Sequence, residues 1–293
     1  MNYEKWLSLN ASSLQGKTAI ITGATGGLGK EIVFTLAKLN CNMIFLDRNL
    51  TKSIKLKNEI LKIYPNIDIK NIHLDLLNFQ QVKQVVEYLK TINFNILIHN
   101  AAVYNVPLFK TSTDYNNVFQ TNFVSPYYIT KQLLPTLKKS ENPKVIAVSS
   151  IAHSYTKLNS NDIDFSLSKK HSHIYGNSKR FLTFSLFELF KNESKVELSI
   201  CHPGITLTNI TNHYPKAINW LVKFGVKLIF PKPKTASLNI VKGVFSKTEY
   251  RTWIGPKIFN IWGKPNKKKL KICIEESEKM FEIAENIYKQ IKD

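Results

Sequence analysis

The sequence predicts a doubly wound α/β domain, a parallel β-sheet covered by helices on both faces, and three observations carry that prediction. Short apolar runs rich in Val and Ile alternate with longer stretches of helical periodicity along most of the chain. A glycine-rich turn, "TGATGGLG" at 22–29, joins the first apolar run to the first amphipathic stretch. No repeat, low-complexity block or flexible linker divides the 293 residues, a length at which one α/β domain buries a sizeable core.

The elements follow in order. Strands are expected at 18–22, 42–47, 68–74, 95–99, 144–149, 196–201 and 251–254. Between them, "KEIVFTLAKLN", "FQQVKQVVEYLKTI" and "NVFQTNFVSPYYITKQLLPTLKK" place apolar residues at helical spacing, and the crossovers they make are expected to be right-handed. The C-terminal third is less regular. In "PKAINWLVKFGVKLIF", 215–230, Trp220, Leu221, Phe224 and Leu228 share one helical side, and Lys216, Lys223 and Lys227 another. That segment is either a flap over a binding cleft or a basic amphipathic helix on a membrane surface. The run "WGKPNKKKLK" reads as an exposed basic lead into a last helix, so that 264–293 forms a basic helical extension.

A net charge of +20 is the unusual feature of the composition. It suits attraction to anionic lipid, nucleic acid or acidic metabolites. Neither zinc-finger spacing nor an RNA-binding aromatic signature accompanies it, so no nucleic-acid partner is expected. Three cysteines, Cys41, Cys201 and Cys273, lack metal-ligand spacing, and no metal is expected. With no secretory pattern and no apolar run of membrane-spanning length, the expected setting is the reducing cytoplasm, with peripheral contact to an anionic membrane as its extension. A homo-oligomer is compatible with the sequence.

The glycine turn follows a strand and opens a helix, the setting of a dinucleotide-binding loop. Gly23 suits a tight turn, Gly27 close approach of a pyrophosphate, and Gly29 close packing of helix on sheet; the helix N-terminus then faces the phosphates. Thr25 and Leu28 complete the loop. Asp47 ends the second strand 18 residues after Gly29, where a carboxylate accepts hydrogen bonds from adenosine ribose hydroxyls and repels a 2′-phosphate. Arg48, the next residue, pairs with such a phosphate instead. The lean is towards NAD, with NADP open. Asp75, followed by Leu76, either meets the adenine edge or caps the next helix. Asn100 and Ala101 close the fourth strand with a polar and a small side chain suited to a nearby cofactor.

"YGNSK" sets Tyr175 and Lys179 four residues apart on one helical face. A tyrosine with a pKa of about 10 is a poor base at neutral pH; a neighbouring ammonium favours its phenolate. The pair can then donate a proton to a forming alkoxide or remove one from an alcohol. Ser150, at the end of "KVIAVSS", has a hydroxyl able to hold a carbonyl oxygen. Asn122 is a polar residue in an apolar helical stretch, either a holder of relay water or a satisfied buried amide. After the sixth strand, Pro203 and Gly204 bend the chain and Ile205 and Thr208 are placed to meet a nicotinamide.

With "TGATGGLG", Asp75, "HNAA", "TNFVSPYYIT", "VSS", "YGNSK" and "HPGITLT" in this order over 15–260, the sequence resembles the short-chain dehydrogenase/reductase family in its compact single-domain branch. The resemblance implies a Rossmann-type sheet of seven parallel strands in the order 3-2-1-4-5-6-7. It implies Asn122, Ser150, Tyr175 and Lys179 as the catalytic four, with Lys179 also holding the nicotinamide ribose. The long stretch between Ser150 and Tyr175, with "WIGPKIFNIWGKP", is similar to retinol-dehydrogenase-type and WW-domain-oxidoreductase-type members, which act on lipophilic alcohols and carbonyls, often with NADP. Two residues depart from those relatives: Asp47 stands where a neutral residue usually precedes the arginine, and Ala102 replaces a glycine. The expected reaction is reversible hydride transfer between nicotinamide and a hydrophobic alcohol or carbonyl compound. The alternatives are a non-catalytic dinucleotide-sensing or interaction protein, and an enzyme of the protochlorophyllide-reductase type.

Overall fold

The computed structural model describes residues 2–204 and 231–292. An N-terminal helix α1 (Tyr3–Asn10) precedes β1 (Thr18–Thr22), and the glycine turn leads into α2 (Gly27–Lys38). The alternation continues through β2 (Asn42–Asp47), α3 (Leu50–Leu61), β3 (Ile69–His73), α4 (Phe79–Lys90) and β4 (Ile96–His99). A helical run follows: α5 (Asn117–Phe119), a π-helical turn (Gln120–Val124) and α6 (Ser125–Leu137). The second half comprises β5 (Lys144–Val148), a 3₁₀ turn (Ile151–Ser154), α7 (His171–Leu189), β6 (Glu197–Cys201), α8 (Pro233–Phe245), β7 (Thr252–Ile258), β8 (Trp262–Lys269) and α9 (Ile274–Ile291).

The sheet order is β3-β2-β1-β4-β5-β6-β7-β8. Strands β3 to β7 run parallel. Successive side chains of a strand point to opposite faces, and the core divides accordingly. Ile20, Leu46, Leu97 and Val145 meet Phe119, Phe123, Phe181 and Phe184 on one face. Ile21, Phe45, Ile98 and Ile146 meet Ile32, Leu36, Ile60 and Ile240 on the other. Register is therefore fixed by burial on both sides, since a one-residue slip would exchange the two sets. From β1 the chain builds outward through β2 and β3, then crosses to β4 on β1's other flank. That reversal opens a crevice beyond the carboxyl ends of β1 and β4.

The seven expected parallel strands are present in the expected order, and the sheet adds one more to them. Residues 262–269, read from sequence as part of a basic lead into the last helix, form an eighth strand antiparallel to β7. Its composition is poor for a strand, and Pro256 and Pro265 sit opposite one another. Pro265 and the polar composition are tolerated because β8 is the sheet edge and one side of it carries no ladder, and Pro256 lies beyond the last β6–β7 pair, Cys201 with Ile254. The last helix α9 packs Met280, Ala284 and Ile287 onto the α7 face. It is tied there by buried Glu188 of α7, which accepts hydrogen bonds from the Ser277 hydroxyl (2.6 Å), the Tyr250 hydroxyl (2.5 Å) and Arg251 (2.8 Å). Those donors hold the carboxyl below its ordinary pKa despite the opposing effect of burial. The segment 215–230, with Ile205 and Thr208, lies outside the described residues.

Candidate active site

The crevice is a cavity of about 910 Å³, within the size range of small-molecule cofactor sites. The glycine turn forms one wall. Gly23 takes φ +71°, and a Cβ on Gly29 would lie 2.1 Å from the Gly23 carbonyl oxygen, so α2 begins directly against the turn. Gly26 precedes the helix and no side chain caps it, which leaves the positive end of α2 open to the cavity. Asn100 stiffens this wall: its side-chain amide donates to the Gly23 carbonyl at 2.8 Å and the Thr22 carbonyl at 3.2 Å. The Thr22 hydroxyl accepts from the N–H groups of Asn100 and Ala101 in return. A closely approached, uncapped helix start backed by small residues fits the pyrophosphate of a dinucleotide.

At the β2 end, Asp47 and Arg48 separate. The Asp47 carboxylate is 1% exposed; Oδ1 accepts from the Thr25 N–H and hydroxyl, both 3.1 Å, and Oδ2 from the Ser53 hydroxyl at 2.7 Å. Burial is the largest influence on it and raises its pKa, while these hydrogen bonds act the other way. Asp47 thus braces the glycine turn from behind. Arg48 and Lys52 are exposed on the cavity side. Asp75 and Leu76 line the same end; Asp75 accepts from the Leu77 N–H at 3.0 Å, and the helix cap read for it belongs to Asn78, whose side chain accepts from the Gln81 N–H.

At the opposite end Ser150, Tyr175 and Lys179 line the cavity together. Tyr175 and Lys179 lie on one face of α7, with the Lys179 Nζ 5.9 Å from the Tyr175 ring centroid. Lys179 is 2% exposed and donates to the Val148 carbonyl at 2.8 Å; burial lowers its pKa to about 7. Pro203 and Gly204 also line this end. Asn122 is not among the lining residues. It is a buried amide in the π-helical turn, accepting from the Val103 N–H at 2.8 Å and donating to the Val103 carbonyl and the Ser178 hydroxyl, both at 3.0 Å. The geometry is that of a bracket between the loop after β4 and α7, at a π-turn of the kind often found beside functional sites.

Several contributors escaped the sequence reading. Gly176 is one: a Cβ there would lie 2.5 Å from the Ala152 carbonyl oxygen, so its absence lets the 3₁₀ turn carrying Ser150 close onto Tyr175. A glycine inside a helix costs about 1 kcal/mol relative to alanine, and that cost was the available signal. Gly176→Ala is expected to lower stability by about 1–3 kcal/mol and to reduce kcat with nucleotide affinity retained. Thermal melts and a nucleotide titration on the variant check both parts. Arg180 is another. It grips Glu276 of α9 through two nitrogens, 3.0 and 2.7 Å, and donates to the His153 carbonyl at 3.0 Å; Glu276 also accepts from the Leu158 N–H at 2.8 Å. The C-terminal helix thereby buttresses the wall after Ser150. Tyr104 packs edge-on against the Tyr175 ring, centroids 5.2 Å apart, and Ile151, Ala152 and Tyr155 continue that wall.

The model of the short chain dehydrogenase family matches residues 17–219. The chain belongs to that family. Human polyprenol dehydrogenase is 30% identical over 223 residues, covering 73% of this chain and 66% of that protein. Human retinol dehydrogenase 13 is 28% identical over 209 residues, covering 69% and 62%. The chain thus spans slightly under two thirds of the length of these curated relatives. Among solved structures, a protein of uncharacterised function from Mycobacterium paratuberculosis superposes with a TM-score of 0.74 at 20% identity, over 95% of each chain. A Shigella flexneri structure described as a short chain dehydrogenase complexed with NADP gives 0.61 at 19% identity, over 80% of this chain and 92% of its own.

Proposed function

We propose that this family member transfers hydride between NADP(H) and a lipophilic alcohol or carbonyl compound. The observation that carries the reading is one continuous cavity with a phosphate-suited helix start and two free-facing cations at one end, and Ser150, Tyr175 and Lys179 at the other. The nicotinamide, when bound, supplies or accepts the hydride. Tyr175 exchanges the proton at the substrate oxygen: its hydroxyl donates during carbonyl reduction and is re-formed during alcohol oxidation. Ser150 donates a hydrogen bond to the same oxygen, and the Lys179 ammonium favours the phenolate. Asn122 spaces the loop after β4 from α7. The apolar and aromatic wall of Tyr104, Ile151, Ala152 and Tyr155 favours a hydrophobic substrate, in keeping with the names of the polyprenol and retinol dehydrogenases among its relatives.

The preference for NADP(H) reverses the lean towards NAD that Asp47 suggests in the sequence alone. With both Asp47 oxygens engaged by Thr25 and Ser53, the groups facing an adenosine 2′-position are Arg48 and Lys52, both cationic. Fluorescence titration with NADPH and, separately, NADH tests this. NADPH should bind more tightly, and Arg48→Gln should weaken NADPH by about tenfold, the loss of one charge-assisted hydrogen bond, while leaving NADH unchanged. Preference for NADH would return ribose recognition to Asp47. Binding of neither would remove the cofactor site and the reaction with it.

A further inference from the structure

The β7–β8 hairpin ends in a turn that makes poor sense as an internal feature. The Ile261 N–H closes it onto the Ile258 carbonyl at 2.9 Å, and both central residues are left-handed, Phe259 at φ 49° and Asn260 at φ 57°. That is the φ pattern of a type I′ turn, which favours Asn, Asp and Gly at both positions. Asn260 conforms. Phe259 does not: a bulky side chain at positive φ is strained, and at 82% exposure it recovers nothing by packing. Ile258 beside it is 50% exposed. Backbone strain of this kind points outward to function.

The surroundings state what the apolar tip meets. Lys257, Lys264, Lys267, Lys268, Lys269 and Lys271 are all exposed on this hairpin and its exit, and no Asp or Glu occurs from 251 to 274. Lysines on an edge strand also deter pairing with a second sheet. That accounts for the charges, but it leaves a strained, exposed Phe at the tip without a purpose. Apolar side chains at a tip, with a field of lysines along the adjoining edge, match an anionic lipid bilayer, with Phe259 and Ile258 entering the interface and the lysines facing headgroups.

The tip is also fixed to the active-site cavity. His202, which lines that cavity, bonds through Nε2 to the Asn260 carbonyl at 3.0 Å. A Cβ on Gly204 would lie 3.0 Å from both the Ile261 carbonyl and the Pro256 ring. We infer that the β7–β8 hairpin docks the protein on anionic membrane, Phe259 and Ile258 inserting and the edge-strand lysines contacting headgroups, with the cavity mouth held beside the bilayer. The docking is read by binding alone and does not depend on which reaction the cavity performs.

Co-sedimentation of the purified full chain with phosphatidylcholine vesicles, with and without phosphatidylserine, tests it. Binding is expected only where phosphatidylserine is present, and it should weaken as salt rises. Replacing Lys267, Lys268 and Lys269 by Gln should weaken it by about fivefold per lysine. Phe259→Asn should weaken it by about tenfold while leaving nucleotide binding intact and the melting temperature unchanged or higher, because Asn suits the left-handed turn. Unchanged binding by Phe259→Asn overturns the inference, as does binding insensitive to the lysines. A fall in melting temperature would place Phe259 in an internal contact and also overturn it. So would binding lost only on Lys223→Gln and Lys227→Gln, which would move the contact to 215–230. A dimer that Phe259→Asn dissociates, with no vesicle binding, would make the tip a protein interface instead.

Discussion

Tyr175→Phe is expected to lower turnover by about 10²–10⁴-fold, the usual contribution of a positioned acid–base group, while NADPH still binds with unchanged affinity. The substitution removes one oxygen and keeps the ring, so the edge-on packing with Tyr104 at 5.2 Å survives. What disappears is the proton for the substrate oxygen. Ser150 can still hold that oxygen, and Lys179, 5.9 Å from the ring centroid and bonded to Val148, is set back behind Tyr175. Steady-state rates with a lipophilic aldehyde and NADPH, beside a fluorescence titration, separate the outcomes. Lost turnover with retained binding supports Tyr175 as the proton donor. Undiminished turnover would remove it from the chemistry, and lost binding would mean that its hydroxyl holds the cofactor rather than the substrate. A protein that only senses dinucleotide would show no turnover to lose.

The parts of this site legible in the sequence are those written within a few neighbouring residues. The turn at 22–29, the strand ends of β1 and β2, and the four-residue spacing of Tyr175 and Lys179 all follow from local backbone chemistry and helical geometry. What resisted reading depends on partners distant in the chain. Asp47 and Arg48 are adjacent and carry opposite implications; what separates them is that Thr25 and Ser53, 22 and 6 residues away, claim the carboxylate. Strand β8 has the composition of a solvated basic loop, and it becomes a strand because the turn at Phe259 and Asn260 folds it against β7. The buttress from Arg180 to Glu276 spans 96 residues, and no periodicity announces it. The side-chain partners of Asn122 could not be read from sequence, because nothing near it names Val103 and Ser178, 19 and 56 residues away, as the groups its amide bonds.

Lys179→Met should abolish most turnover and yet make the nucleotide-free protein more stable. Lys179 is 2% exposed, and the one hydrogen bond its Nζ makes in the described structure is to the Val148 carbonyl. Burial brings its pKa to about 7, against about 10.4 in the unfolded chain. Between those values the unfolded chain binds a proton that the folded one lacks, so stability rises with pH from about 7 to about 10.4. Below about pH 7 both states hold the proton, and the cost of the buried ammonium is borne in full. Methionine fills the same unbranched volume without a charge, at the expense of leaving the Val148 carbonyl unpaired. The net gain near neutral pH is expected on the order of 2 kcal/mol, as for other buried charges replaced by apolar side chains. Turnover should fall by about 10³-fold, because the Tyr175 phenolate loses its neighbouring cation. Denaturant melts of both proteins without nucleotide, from about pH 6 to about pH 10, supply the check: the wild type should gain stability across that range, and the variant should lack the part of that gain that belongs to this lysine. If the two curves run parallel, Lys179 is charged in the folded protein throughout, and its tuning of Tyr175 must come from a permanent ammonium instead of a proton in balance with the working pH.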